Sequence, residues 1–230
     1  MIRSPKRVTR KDLRQPDQFV TFTSRSVDFA RKNTGPLLAG LSLIVVSVIG
    51  VWGWNFYRAT QDRLASQQYS RALDLYHGGK YREALTELSQ VASYRSPTYR
   101  SLSLLYQGSS YAALEDPKKA EDALKEFLSR ERKDQLLRQV ALMTLGYTQE
   151  KTGRCPEAAA SFAEAEKLAG PFKEDALAAK ARCSLQVGNY QEALRSYNQI
   201  LTSFSGSEKS GEISLMVREI EGKMADGGKK

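Results

Sequence analysis

Gly79-Lys80-Tyr81-Arg82-Glu83-Ala84 returns as Gly153-Arg154-Cys155-Pro156-Glu157-Ala158 and again as Gly188-Asn189-Tyr190-Gln191-Glu192-Ala193. A degenerate copy, Glu115-Asp116-Pro117-Lys118-Lys119-Ala120, fills the interval. The turn positions 79, 115, 153 and 188 stand 36, 38 and 35 residues apart. Each is flanked by apolar-faced helical patterns, so each unit reads as helix, turn, helix. One hairpin cannot bury its apolar face alone, and a period of this length predicts stacked hairpins that cover one another. The expected fold class is all-α.

These units resemble the tetratricopeptide repeat over about residues 65–205, with roughly four repeats. The resemblance implies small residues in the first helices, here Ala72, Gly108, Gly146 and Ala181. It implies Ala at the second-helix positions Ala84, Ala120, Ala158 and Ala193. Bulky and small packing positions follow, at Leu88, Leu124, Phe162 and Tyr197 and then at Val91, Phe127, Ala165 and Ile200. Small side chains let paired helices approach, and larger ones fill the groove between repeats. Pro117 replaces the aromatic of the second unit at a first-turn position that tolerates proline. Ser205-Gly206-Ser207 breaks the pattern. Ile213, Leu215, Met216, Val217 and Ile220 then predict a helix within 206–230 that caps the open end, followed by a loose tail.

Upstream lies PLLAGLSLIVVSVIGVWGWNFY, Pro36 to Tyr57, inside a run of 25 uncharged residues between Lys32 and Arg58. A bilayer core needs roughly 20 apolar helical residues, so residues 36–57 are expected to span a membrane. Trp52, Trp54 and Tyr57 cluster at one edge, as interfacial aromatic rings do. The residues before the span carry a net charge of +6. Basic residues near a span stay in the cytoplasm, which puts the N-terminus inside and residues 58–230 outside. The long basic leader and the lack of a clean A-x-A site argue for an uncleaved anchor over a signal peptide. No Cys lies near the span to carry a lipid.

Residues 1–15 read as a disordered basic leader. Residues 16–34, with Phe19, Phe22 and Phe29 at loosely helical spacing, read either as an amphipathic juxtamembrane helix or as a linker. Gly35-Pro36 is expected to separate this segment from the span. The overall charge of +9 does not indicate nucleic acid, because residues 58–230 hold 26 basic and 23 acidic residues with no basic run.

No motif carries catalysis. His77 is the single histidine, and it sits beside Gly78-Gly79 at a helix end. No phosphate loop, H-E-x-x-H or paired-Cys metal spacing occurs. The expectation is a non-enzyme with no cofactor and no metal. Cys155 and Cys183 fall on neighbouring elements. Buried thiols are the favoured reading and a disulfide the alternative.

First helices line the concave face of tetratricopeptide arrays. That register implies a partner groove with Tyr69, Leu73, Tyr76 and His77 from the first unit, and Leu105, Ser109 and Ala112 from the second. Met143, Tyr147 and Glu150 follow from the third, with Ala178 and Arg182 from the fourth. Packing of Tyr69, Leu73, Leu105 and Met143 against one another, or against a loop leaving the membrane, is the competing expectation. The Lys and Asn that clamp a C-terminal carboxylate in one version of this repeat are Tyr69, Leu73, Leu105 and Ser109 here, which argues against a chaperone-tail receptor.

The leader, the span ending in Gly50-Val51-Trp52-Gly53-Trp54 and the external repeats together resemble a bacterial inner-membrane family, the ancillary subunits of the SecYEG translocon. The resemblance implies a periplasmic adaptor with translocon subunits or periplasmic chaperones as partners. A structural homo-oligomer, or an organelle import receptor of opposite topology, are the alternatives.

Overall fold

The computed structural model describes residues 27–227. The expected leader (1–15) and most of the juxtamembrane segment (16–34) lie outside the described residues. Contacts divide the chain between Tyr57 and Arg58 into two units.

In the first unit, residues 27–32 are helical and Asn33 is a turn. Helix α1 then runs over Thr34–His77. The break therefore falls at Asn33 and not at Gly35-Pro36. Pro36 sits in the first turn of α1, where its missing N–H costs nothing. The apolar stretch is exposed among the described residues: Leu38, Val46 and Trp52 are 65%, 67% and 69% exposed. Among the described residues, α1 alone is long and apolar enough to cross a membrane. Residues 58–64 continue the helix without a turn, and neither Gly nor Pro occurs between Gly53 and Gly78 to end it.

In the second unit α2 (Tyr81–Val91), α3 (Pro97–Ala113), α4 (Pro117–Arg130), α5 (Gln135–Lys151), α6 (Cys155–Lys167), α7 (Lys173–Gln186), α8 (Tyr190–Ser203) and α9 (Ser210–Gly227) follow. Residues 58–77 of α1 pack with α2, and α3 with α4, α5 with α6, and α7 with α8 form successive hairpins. The described residues contain no strand.

Each hairpin turns through left-handed backbone at the position the repeat marks. Gly79, Gly153 and Gly188 have φ of +73°, +76° and +76°, and Glu115 adopts +60° without being glycine. Asp116 caps α4 by accepting from Lys119 N at 3.3 Å, with Pro117 as the first helical residue. Asn189 caps α8 through Glu192 N at 3.2 Å.

The packing follows the small-against-large logic. Ala72, Ala84, Ala120, Ala158, Ala181 and Ala193 are fully buried, as are Leu88, Leu124, Phe162, Val91, Phe127, Ala165 and Ile200. A side chain at Gly108 would collide with Leu124, and one at Gly146 with Phe162. One buried polar side chain ties two elements of the stack together. The fully buried Gln139 donates to Ala165 O at 3.1 Å and accepts from Phe172 N at 3.2 Å, fixing the α6–α7 turn to α5. Cys155 and Cys183 are free thiols buried in one core cluster.

Helix α9 closes the stack on α8 with Ile213, Val217 and Ile220 buried. Leu215 departs from the expected capping face: it is 63% exposed, because it falls two residues from both Ile213 and Val217 and so on the opposite side of the helix.

Candidate functional site

The residues expected to line the groove divide by burial. Tyr69, Leu105 and Met143 are 9%, 3% and 6% exposed and belong to the core. A helix inside a solenoid has a neighbour on each side, and these three side chains fill the seams between repeats. Leu73, Tyr76 and Ser109 are half-buried. Tyr69 meets Tyr99 at a tilt and Tyr106 edge-on, with centroids 5.6 and 5.8 Å away, and Tyr76 meets Tyr106 edge-on at 5.1 Å. This tyrosine cluster welds the first repeat to the second. Burial, reinforced by Tyr106, pushes the Tyr69 phenol well above its ordinary pKa. The Ser109 hydroxyl donates to Leu105 O at 3.1 Å.

Tyr147 and Arg182 remain exposed, and the structure brings them together. Tyr147 leans its ring edge-on against Phe162 at 5.1 Å and keeps 44% exposure. Arg182 forms a two-pronged bond with Glu150, Nε to Oε1 at 2.5 Å and Nη2 to Oε2 at 2.7 Å. That bond raises the guanidinium pKa further above its ordinary value. Glu150 and Ala178, also read as groove residues, lie beside them on α5 and α7.

Between these residues and α9 opens a hollow of about 550 Å³, lined by Tyr147, Asp175, Arg182, Tyr190, Tyr197, Lys209, Glu212, Met216 and Lys223 among others. Its floor is apolar: Tyr197 and Ile213 are each 4% exposed and Ile220 3%. Its rim is ionic, with Lys209 Nζ 2.5 Å from Asp175 and Lys223 Nζ 2.6 Å from Glu219. Burial pushes the Tyr197 phenol up, the Arg182 charge pulls it down and the Glu212 charge pushes it up. Tyr147 also borders a second hollow of about 360 Å³ with Ala112, Pro117, Thr144 and Lys151.

The contribution of α9 was missed in the sequence, where that helix read only as a cap. Its signal is the stripe Glu212, Met216, Glu219 and Lys223 along one helix face, with Lys209 three residues before it in the turn that leads into α9. His77 is exposed at the end of α1, in edge contact with Tyr76. Among the described residues no three His, Cys, Asp or Glu side chains converge to hold a metal ion. A larger hollow of about 770 Å³ lies between the α2–α3 and α4–α5 turns. Its carboxylates, Glu131 and Asp134, are used in holding turn and cap N–H groups.

A family model described as a tetratricopeptide repeat-like domain matches residues 28–221. Among solved structures, the chain is similar to PilW, described as a widely conserved type IV pilus biogenesis factor. Identity there is 20% and the TM-score 0.56, over 65% of this chain and 66% of that one. It is similar also to MamA at 17% identity and a TM-score of 0.57, over 72% of this chain and 86% of that one. At such identities the likeness is one of fold. The comparison with curated proteins gives no match.

Proposed function

The chain belongs to the tetratricopeptide repeat-like family, and from that premise we propose that it is a membrane-anchored adaptor whose C-terminal groove holds a segment of a partner protein. The observation that carries this reading is the hollow between α5, α7 and α9, where exposed Tyr147 and Tyr190 stand over an apolar floor with a charged rim. Exposed aromatic and Met side chains in a concavity suit peptide or helix docking.

In this reading the apolar half of α1 sits in a bacterial inner membrane, the basic leader stays in the cytoplasm, and residues 58–230 work in the periplasm. The partners are subunits of the SecYEG translocon, periplasmic chaperones or members of another envelope assembly. Tethering to one membrane raises local concentration, so weak groove contacts suffice. The protein acts by binding and is not an enzyme.

The test is a photoreactive residue placed at Tyr147, in intact membranes, beside one at Leu136, which is 47% exposed and outside the groove. Adducts to an envelope protein from position 147 alone support the proposal. Identical adducts from both positions reject the groove, and a self-adduct alone makes the protein a homo-oligomer instead.

A further inference from the structure

The charges around the groove are almost all spent on one another. Glu150 is held by Arg182, Asp175 by Lys209 and Glu219 by Lys223. Those three pairs use every cation lining the hollow. Glu212 is the exception: it lines the same hollow, is exposed, and makes no ion pair or hydrogen bond among the described residues. It stands in the first turn of α9 and lines the hollow together with Tyr197. Tyr147 and Tyr190, at 44% and 37% exposure, line the same space.

We infer that the groove selects a partner segment in which a Lys or Arg is set among apolar residues. The apolar neighbours cover Met216 and the floor, the cation meets the unpaired Glu212 carboxylate, and the tyrosine rings flank it. An unpaired carboxylate beside aromatic faces attracts a cation twice over, through charge and through the ring quadrupole. An acidic residue in the same place meets like charge without compensation, which is how a groove rejects wrong partners. This inference rests on the adaptor reading and names the chemistry of its partner. Glu212 has one competing role, since an acidic first-turn residue also offsets the helix dipole of α9. That role gives stability and no selectivity.

The experiment uses the full-length protein in non-ionic detergent and short labelled Leu/Ala-rich peptides with Arg, Gln or Glu at the centre, read by fluorescence anisotropy. The Arg peptide is expected to bind about tenfold more tightly than the Gln peptide, a factor in keeping with one charge-assisted contact. The Glu peptide is expected to bind most weakly. Glu212→Gln removes the Arg preference and leaves the Gln peptide unchanged, while Tyr147→Ala weakens all three. Equal binding of Arg and Gln peptides, or a Glu212→Gln protein that melts lower yet keeps its Arg preference, overturns the inference and leaves the groove standing. Binding of none of the peptides overturns the groove itself.

Discussion

Phe162 lies so close to the backbone of Gly146 that a Cβ built on that glycine would stand 2.5 Å from the ring's Cε1. The contact joins the two helices of the third hairpin, and Gly108 stands against Leu124 in the same relation one repeat earlier. Gly146→Ala forces the ring aside in a fully buried layer and should cost about 1–3 kcal/mol. Adding Phe162→Leu should return part of that loss, because the smaller side chain frees the space. Thermal melts of the single and double variants check this; additive losses would contradict it.

The hairpin turns separate backbone strain from packing. Gly153 has φ +76° with open space where a Cβ would go, so Gly153→Ala should cost about 1 kcal/mol through backbone conformation alone. Glu115 already sits at φ +60° and bonds Lys151 at 2.7 Å in an exposed pair. Glu115→Gly relieves the strain and loses a pair worth little, so its stability should match or exceed that of the parent. Chemical denaturation of both variants reads the two opposite signs.

Glu121 is a buried carboxylate bonded to Arg154 and, at 3.0 Å, to Lys125. Its pKa is lowered, chiefly by the Arg154 bond. A carboxylate with a depressed folded pKa contributes stability above its unfolded value of about 4.3, and loses it as pH falls through the folded value. Glu121→Gln should therefore destabilise by about 1–2 kcal/mol near neutral pH, with the difference from the parent closing in acid. Stability measured from neutral pH down to acid checks this; a constant difference would contradict it.

Burial, and Cys155 beside it, push the Cys183 thiol up to about 12. Cys155 is also held, with Sγ donating to Gln186 Oε1 at 2.7 Å. Alkylation of the native protein at mildly basic pH should be slow at Cys183, where little thiolate forms, and slow at Cys155 because that thiol is buried. Denaturation without reductant should release two reactive thiols. None would mean a disulfide.

The repeat lattice was legible because it is set by short-range constraints. Left-handed turns ask for glycine, and close helix pairs ask for a small residue opposite a large one. Gly146, Phe162 and their counterparts therefore announce their own partners. The groove was less legible. Helical periodicity places Tyr69, Leu105, Met143 and Tyr147 on comparable faces, and only the three-dimensional stack reveals which of them meet a neighbouring repeat. The part played by α9 depends on how residues 204–209 turn, through contacts such as Ser207 Oγ donating to Glu174 at 2.5 Å and Lys209 bonding Asp175. Those bonds span more than thirty residues and leave no local signature. Likewise both Asn33 and Gly35-Pro36 suit a helix boundary, and the first turn of α1 accommodates Pro36.

Protease digestion of intact spheroplasts, with an epitope fused after Lys230, tests the membrane-tethered arrangement most directly. The expected result is loss of the epitope together with a protected N-terminal fragment that contains residues 36–57 and stays in the membrane pellet. An intact epitope, under conditions that digest a known periplasmic protein, would contradict it.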